Sequence, residues 1–245
     1  MPRFELSAAS GRVARFAEAQ HRVATMKLVD DLDEQALLED LLDDSKPPVP
    51  RDCAHLHYLF YTPFRYVPHS ASRFRGAGDA RGVLYAAETL RTAAAEAAFH
   101  LLRFYIESPD TGFPSGPTEK TAFRLGYETA ARFDLTGTTD PALTDPVDYT
   151  ATVALAEALR AEGAEVIRYR SVRDPDAGAN IAILTCAAIT STAPEDRAIW
   201  HFWLKSDRVI AREHAGGGES HEFSHTAFDG DPRVRDWLSR RDASG

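Results

Sequence analysis

The chain has 245 residues, enough to bury a full core either as one large domain or as a domain with an appendage. Its composition, 44% hydrophobic and 27% charged, is that of an ordinary globular protein. A formal charge of −9 argues against a broad nucleic-acid surface and disfavours binding to anionic membranes, since both need clustered, uncompensated Lys and Arg. An acidic patch is better suited to a basic protein partner.

Cys53 and Cys186 are the only cysteines, and there is no CxxC. They allow one disulfide, but a reducing cytoplasm with free thiols is the simpler reading. The opening MPRFELSAASGRVARFAEAQ lacks the continuous apolar core of a signal peptide, and no stretch is long enough to span a bilayer. A cytoplasmic protein is the expectation.

Residues 10–25 show helical spacing through Val13, Phe16 and Val23. VDDLDEQALLEDLLDD follows, with Leu32, Leu37, Leu38, Leu41 and Leu42 set among acids, and predicts an amphipathic helix with one negative face. That face is either solvated or a dock for a basic partner. KPPVP stops any helix, which makes Lys46 to Pro50 a linker. The division is thus residues 1–50 as an acidic N-terminal helical segment and 51–245 as the main domain with a C-terminal extension.

In the main domain, aromatic-rich HLHYLFYTPFRYV reads as a strand ending at Pro63. Gly76, Gly78 and Gly82 mark a loop before the strand GVLYAAE. Thr89 or Thr92 can cap the Ala-rich helix TAAAEAAFHLLRF. Two strands are expected at AFRLGYE and ARFDLT. A helix over DYTATVALAEALRAEG follows, capped by Asp148 and stopped by Gly163. EVIRYRSV, NIAILTCAAI and AIWHFWLKSDRVIAREH read as strands, and the Gly-rich loop and charged tail as peripheral. The order predicts an α+β fold, a mixed or antiparallel sheet core with flanking helices plus the N-terminal helical segment.

Chemistry concentrates in SRFRGAGDARGVLYAAETLRTAAAEAAFH and in the later YRSVRDPDAGAN. Arg73 can hold phosphates through paired, charge-assisted hydrogen bonds. Tyr85 can present a flat ring, and Glu96 can offset a developing sugar cation. His100 lies one turn after Glu96 on the same helix face. These are tools for breaking the nicotinamide–ribose bond of NAD+. The plainer reading is equally available: Glu96, His100 and Arg103 form a polar helix stripe, Tyr85 is a core aromatic, Arg73 a surface charge and Ser171 a strand residue.

Read together, these runs resemble the RES domain family. The pattern is carried by Arg73-Phe74, the loop Gly76 to Gly82, Leu84-Tyr85-Ala86, Thr92 to Glu96 and His100, then Tyr169, Ser171, Arg173 and Asn180. It covers roughly residues 55 to 190. The resemblance implies an ADP-ribosyltransferase-like core and the toxin half of a bacterial toxin–antitoxin pair, with a helix-turn-helix antitoxin as partner. It also implies NAD+ as substrate with no metal. ADP-ribose would pass to a host protein, or NAD+ would be degraded by a glycohydrolase or phosphorylase route. On that analogy Arg73, Tyr85 and Glu96 are catalytic, and His100, Ser171 and Asn180 support them. Two departures weaken the Arg73 assignment: Ser72 stands where the family usually has Gly, and Arg170 where it often has Pro. Arg65 in TPFRYVP is a rival for the phosphate role. A binding module without catalysis is the non-enzymatic alternative.

His221-Glu222-Phe223-Ser224-His225 matches HExxH, a zinc-protease signature that requires a helix. Glycines 216–218 and the following FDGDP leave little room for one, so a chance match is expected. GxGxxG, GxxxxGK[ST] and GxSxG are absent.

Overall fold

The computed structural model describes residues 4–18, 34, 46–214 and 218–243. Its frame is an eight-stranded mixed sheet of β1 (Ser7–Glu18), β2 (Leu84–Ala87), β3 (Thr118–Asp134), β4 (Val166–Arg170), β5 (Ala179–Ile183), β6 (Glu195–Leu204), β7 (Arg208–Glu213) and β8 (Ser220–Ser224). The strand order is β1-β2-β5-β4-β3-β6-β7-β8, with β1 also paired to β3. That extra pairing closes β1, β2, β5, β4 and β3 into a ring, and β6 to β8 continue from it as an antiparallel extension. β3 is long enough to serve both parts. One edge takes β1 along Lys120–Arg132, and the other takes β6 near its start and then β4, in parallel, at Arg132–Asp134.

Among the described residues the sheet is flanked by α1 (Tyr58–Arg65), α2 (Leu90–Glu107), the single turn α3 (Pro141–Thr144), α4 (Thr150–Ala161) and α5 (Pro232–Asp242). Strand alternation divides the core. Ile181 and Ile183 of β5 pack with Phe60 and Phe64 of α1, whereas Ala182 between them packs with Leu159 of α4. The apolar face of α2, including Ala94, Ala98, Phe99 and Leu102, covers Trp200, Phe202, Val209 and Phe223 of the extension. The α+β class with a mixed sheet and flanking helices is as the sequence predicts.

Several local expectations are corrected. Residues 10–18 are strand rather than helix, because β1 pairs with β3 from Ser7 to Glu18. Val13 and Phe16 are three apart by coincidence of the helical period, and a short apolar pattern is easily overridden by such a ladder. The predicted acidic helix at 29–44 lies outside the described residues, apart from Glu34. HLHYLFYTPFRYV contains α1, not a strand: His57 Nδ1 accepts from Leu59 N at 3.2 Å, and Leu59, Phe60 and Phe64 are buried on one side. AFRLGYE and ARFDLT belong to one continuous strand, and the last expected strand is the hairpin β6–β7. The tail is not peripheral, since β8 extends the sheet and α5 buries Val234 beside Phe228. Thr89 caps α2, accepting from Thr92 N at 3.1 Å.

Cys53 and Cys186 form a disulfide with Cα atoms 5.3 Å apart, which replaces the expected free thiols. Both lie in the α1 core, where they bring the short helical turns Arg51–Cys53 and Cys186–Ala188 together. Among the described residues no helix is long and apolar enough to cross a membrane.

Candidate active site

Ala93, at the start of α2, packs against Ala14 of β1 and Ala87 of β2, and these small side chains let the helix lie close to the strands. One turn later Glu96 faces a cavity of about 310 Å³ walled by α2, β1, β2 and the segment around Ser171. That volume is at the lower end of ordinary ligand pockets.

Glu96 is held from one side. Ser171 Oγ donates to its Oε1 at 2.6 Å, and Asn180 Nδ2 donates to the same oxygen at 2.7 Å. The Ser171 oxygen itself accepts from the backbone N–H groups of Arg173 (3.1 Å) and Asp174 (2.9 Å). With its lone pairs so engaged, its proton is directed at the carboxylate. Glu96 Oε2 has no protein partner among the described residues. Asp174 anchors the turn to α2 through Arg91 at 2.5 Å and Thr92 Oγ1 at 2.8 Å. Gly178 permits that approach, because a Cβ there would stand 2.1 Å from Thr92 Oγ1.

Tyr85 projects from β2, and its hydroxyl is fixed in two ways. It accepts from Phe74 N at 3.0 Å and shares a hydrogen bond with Ser72 Oγ at 2.9 Å. Burial raises its pKa, so it remains a neutral phenol whose ring is the part offered to the cavity. Arg73 is also in the wall. Its Nη1 donates to Leu143 O and its Nη2 to Asp145 O, both at 3.0 Å, and its guanidinium lies over Tyr149 and Tyr169. Arg65 is not in the wall; it donates to Pro47 O. His100 stands exposed at the mouth. Despite that exposed edge, the wall behind the ring desolvates the imidazole and lowers its pKa against the opposing pull of Glu96.

The cavity therefore brings together Arg73, Tyr85, Glu96, His100 and Asn180, with Ser171 behind the carboxylate, and leaves Arg65 outside. Two arginines not proposed from sequence join them. Arg15 on β1 donates to Tyr85 O, and burial lowers its pKa, as expected for a cation taken from water. Reading β1 as helix concealed it; on a strand, Arg15 stands between Ala14 and Phe16, which also line the cavity. Arg173 was visible in the Tyr-x-Ser-x-Arg pattern without a role. Its Nη2 donates to Pro146 O at 2.7 Å and Tyr149 OH at 3.2 Å, and its guanidinium lies 4.0 Å from the Phe99 ring centre.

The HExxH residues fall on β8 and the turn after it, so the metal-binding helix face is not formed. His221 stacks on Trp200 with ring centres 5.8 Å apart, and buried His225 packs against Trp237.

No curated protein matches the chain. One chain of the M. tuberculosis MbcT–MbcA toxin–antitoxin complex aligns with it at a TM-score of 0.43 and 10% identity, covering 77% of this chain and 86% of that one. The family model described as RES domain matches residues 49–205, more than half of the sequence and the stretch that supplies every wall residue except those on β1. The chain belongs to the RES domain family.

Proposed function

We propose that this protein is an NAD+-consuming enzyme that breaks the nicotinamide–ribose bond, acting as the toxin of a toxin–antitoxin pair with a helix-turn-helix antitoxin. The observation that carries the reading is Glu96, whose one oxygen is held by Ser171 and Asn180 while the other has no protein partner among the described residues. A carboxylate so placed accepts a ribose hydroxyl and offsets the positive charge that develops at C1′ as neutral nicotinamide departs. Asn180 Oδ1, buried without a partner among the described residues, is a second acceptor for a sugar hydroxyl. The Tyr85 ring supplies a flat surface for nicotinamide, and the arginines supply positive charge for the phosphates. NAD+ is the substrate, and the residues named need no metal for these tasks. The toxin and antitoxin assignments rest on family membership alone.

ADP-ribose passes to a protein acceptor in the reading that makes the enzyme a mono-ADP-ribosyltransferase. Degradation to free ADP-ribose or its phosphate is the second reading, and one observation favours it. The C-terminal portion is absorbed into the fold as β8 and α5 instead of standing free as a docking surface. Incubating the protein with adenine-labelled NAD+ and a bacterial lysate tests both. A labelled band that requires Glu96 identifies a transferase, and free nicotinamide without a band identifies a degrading enzyme. Neither product from folded protein overturns NAD+ chemistry.

A further inference from the structure

Arg173 is 5% exposed, and its Nη1 is buried with no hydrogen-bond partner among the described residues. Buried donors of a charged group are almost always paired, so an orphan calls for an explanation. The rest of the guanidinium is well fixed: Nη2 reaches Pro146 O and Tyr149 OH, Asp231 lies 3.8 Å away, and the flat face covers Phe99. The side chain therefore cannot swing to find water without giving up these contacts. It stands in the cavity wall, on the turn whose Ser171 holds Glu96. The other two arginines of the wall differ from it. Arg73 already has both terminal nitrogens on the carbonyls of Leu143 and Asp145, and Arg15 donates to Tyr85 O.

We infer that Arg173 is the phosphate-recognition residue of this site, its Nη1 donating to a phosphate oxygen of the bound reactant. The inference rests on the NAD+ reading and refines it, since the role that sequence gave to Arg73 or Arg65 moves to Arg173. Arg73 becomes a positioning residue that holds the Leu143–Asp145 strap. The phosphate oxygen has two possible sources, the diphosphate of a dinucleotide or a free phosphate acting as acceptor.

The test is calorimetric titration of the full chain with ADP and, separately, inorganic phosphate, beside nicotinamide release from NAD+. Wild type is compared with Arg173→Lys, which keeps the charge but loses the fork, and Arg173→Met, with thermal unfolding to confirm folding. The expected result is ADP affinity at least tenfold weaker in both variants, with KM for NAD+ rising more than kcat falls. Arg173-dependent binding of inorganic phosphate that also speeds nicotinamide release supports the inference and assigns the oxygen to a free acceptor. Variants that bind both probes as wild type does overturn it, as does wild type that binds neither probe yet releases nicotinamide. Arg173-dependent ADP binding with no nicotinamide release keeps the phosphate site and overturns the NAD+ reading instead.

Discussion

Glu96 is oriented by neighbours that add no charge of their own, so its contribution can be separated from its geometry. Glu96→Gln keeps size and helix propensity while removing the negative charge. Nicotinamide release is expected to fall by about 10²–10³-fold with little change in unfolding temperature, the range seen when one charge-stabilising group is removed. A variant that retains full activity would place the chemistry elsewhere. Ser171→Ala removes both the donor to Glu96 and the acceptor for two backbone N–H groups. Its expected loss is at least tenfold in kcat, from the order of 1.5–3 kcal/mol that a hydrogen bond to a charged group is worth; unchanged kcat would sink the orienting role. Glu96, Tyr85, Ser171 and Asn180 were legible in sequence because each sits in a short run whose local order marks it. Arg173 stood in such a run too, but its orphan nitrogen is a property of three-dimensional packing.

At the level of elements, the Ser171 turn works only because Gly178 lets it meet the start of α2. Gly178→Ala forces a Cβ into Thr92 Oγ1 and Asp174 Oδ2, 2.1 and 2.7 Å away in the wild-type geometry. The turn must shift, and nicotinamide release should drop more steeply than the melting temperature; parallel losses would show a general defect instead. His225, in the turn between β8 and α5, gives a pH signature. Burial, helped by Arg241, lowers its pKa to about 4, against about 6.5 for an unfolded chain. Between those values the unfolded chain binds a proton that the folded one refuses, so stability is full above about pH 6.5 and declines toward pH 4. Asp231 and Asp134, whose pKa values are lowered, contribute stability that is lost only below the ordinary Asp range, a separate window. Thermal midpoints recorded from about pH 7 to about pH 4.5 should fall less in His225→Phe than in wild type. An identical slope in the two proteins would assign the acid sensitivity to another group. α2 was readable because its cap and its Ala, Leu and Glu residues act locally. β1 and α1 were not. A ladder formed with residues more than a hundred positions away decides the first, and burial of Phe60 and Phe64 against the ring decides the second.

Across the whole molecule, the Cys53–Cys186 disulfide ties the segment before α1 to the end of β5, across a sequence separation of 133 residues. In the chain-entropy view a loop of that size contributes about 3–5 kcal/mol by restricting the unfolded chain. Reduction, or a Cys53→Ser/Cys186→Ser double variant, should lower the thermal midpoint by roughly 6–20 °C. Equal midpoints with and without reductant would mean that the bond adds nothing to stability. Composition and element order sufficed for the α+β class, whereas the oxidation state was hidden because spacing says nothing about which distant thiols meet. The N-terminal boundary drawn at the KPPVP linker likewise followed composition, while β1 is a member of the same sheet as the strands beyond it.

The closed ring also governs when the protein can exist during its own synthesis. Glu18 pairs with Lys120, 102 residues later, and the circle is completed only by β5. A nascent chain leaving the ribosome therefore holds β1 without its long ladder until Thr118–Asp134 has emerged, since domains assemble once their distant partners are available. Ser171 and Asn180 arrive at the same late stage as the closing strand. Any product of translation halted before β5 has neither a completed ring nor the Asn180 hydrogen bond to Glu96. The ring and the hydrogen bonds that hold Glu96 are thus completed in one step, set by the arrival of β5.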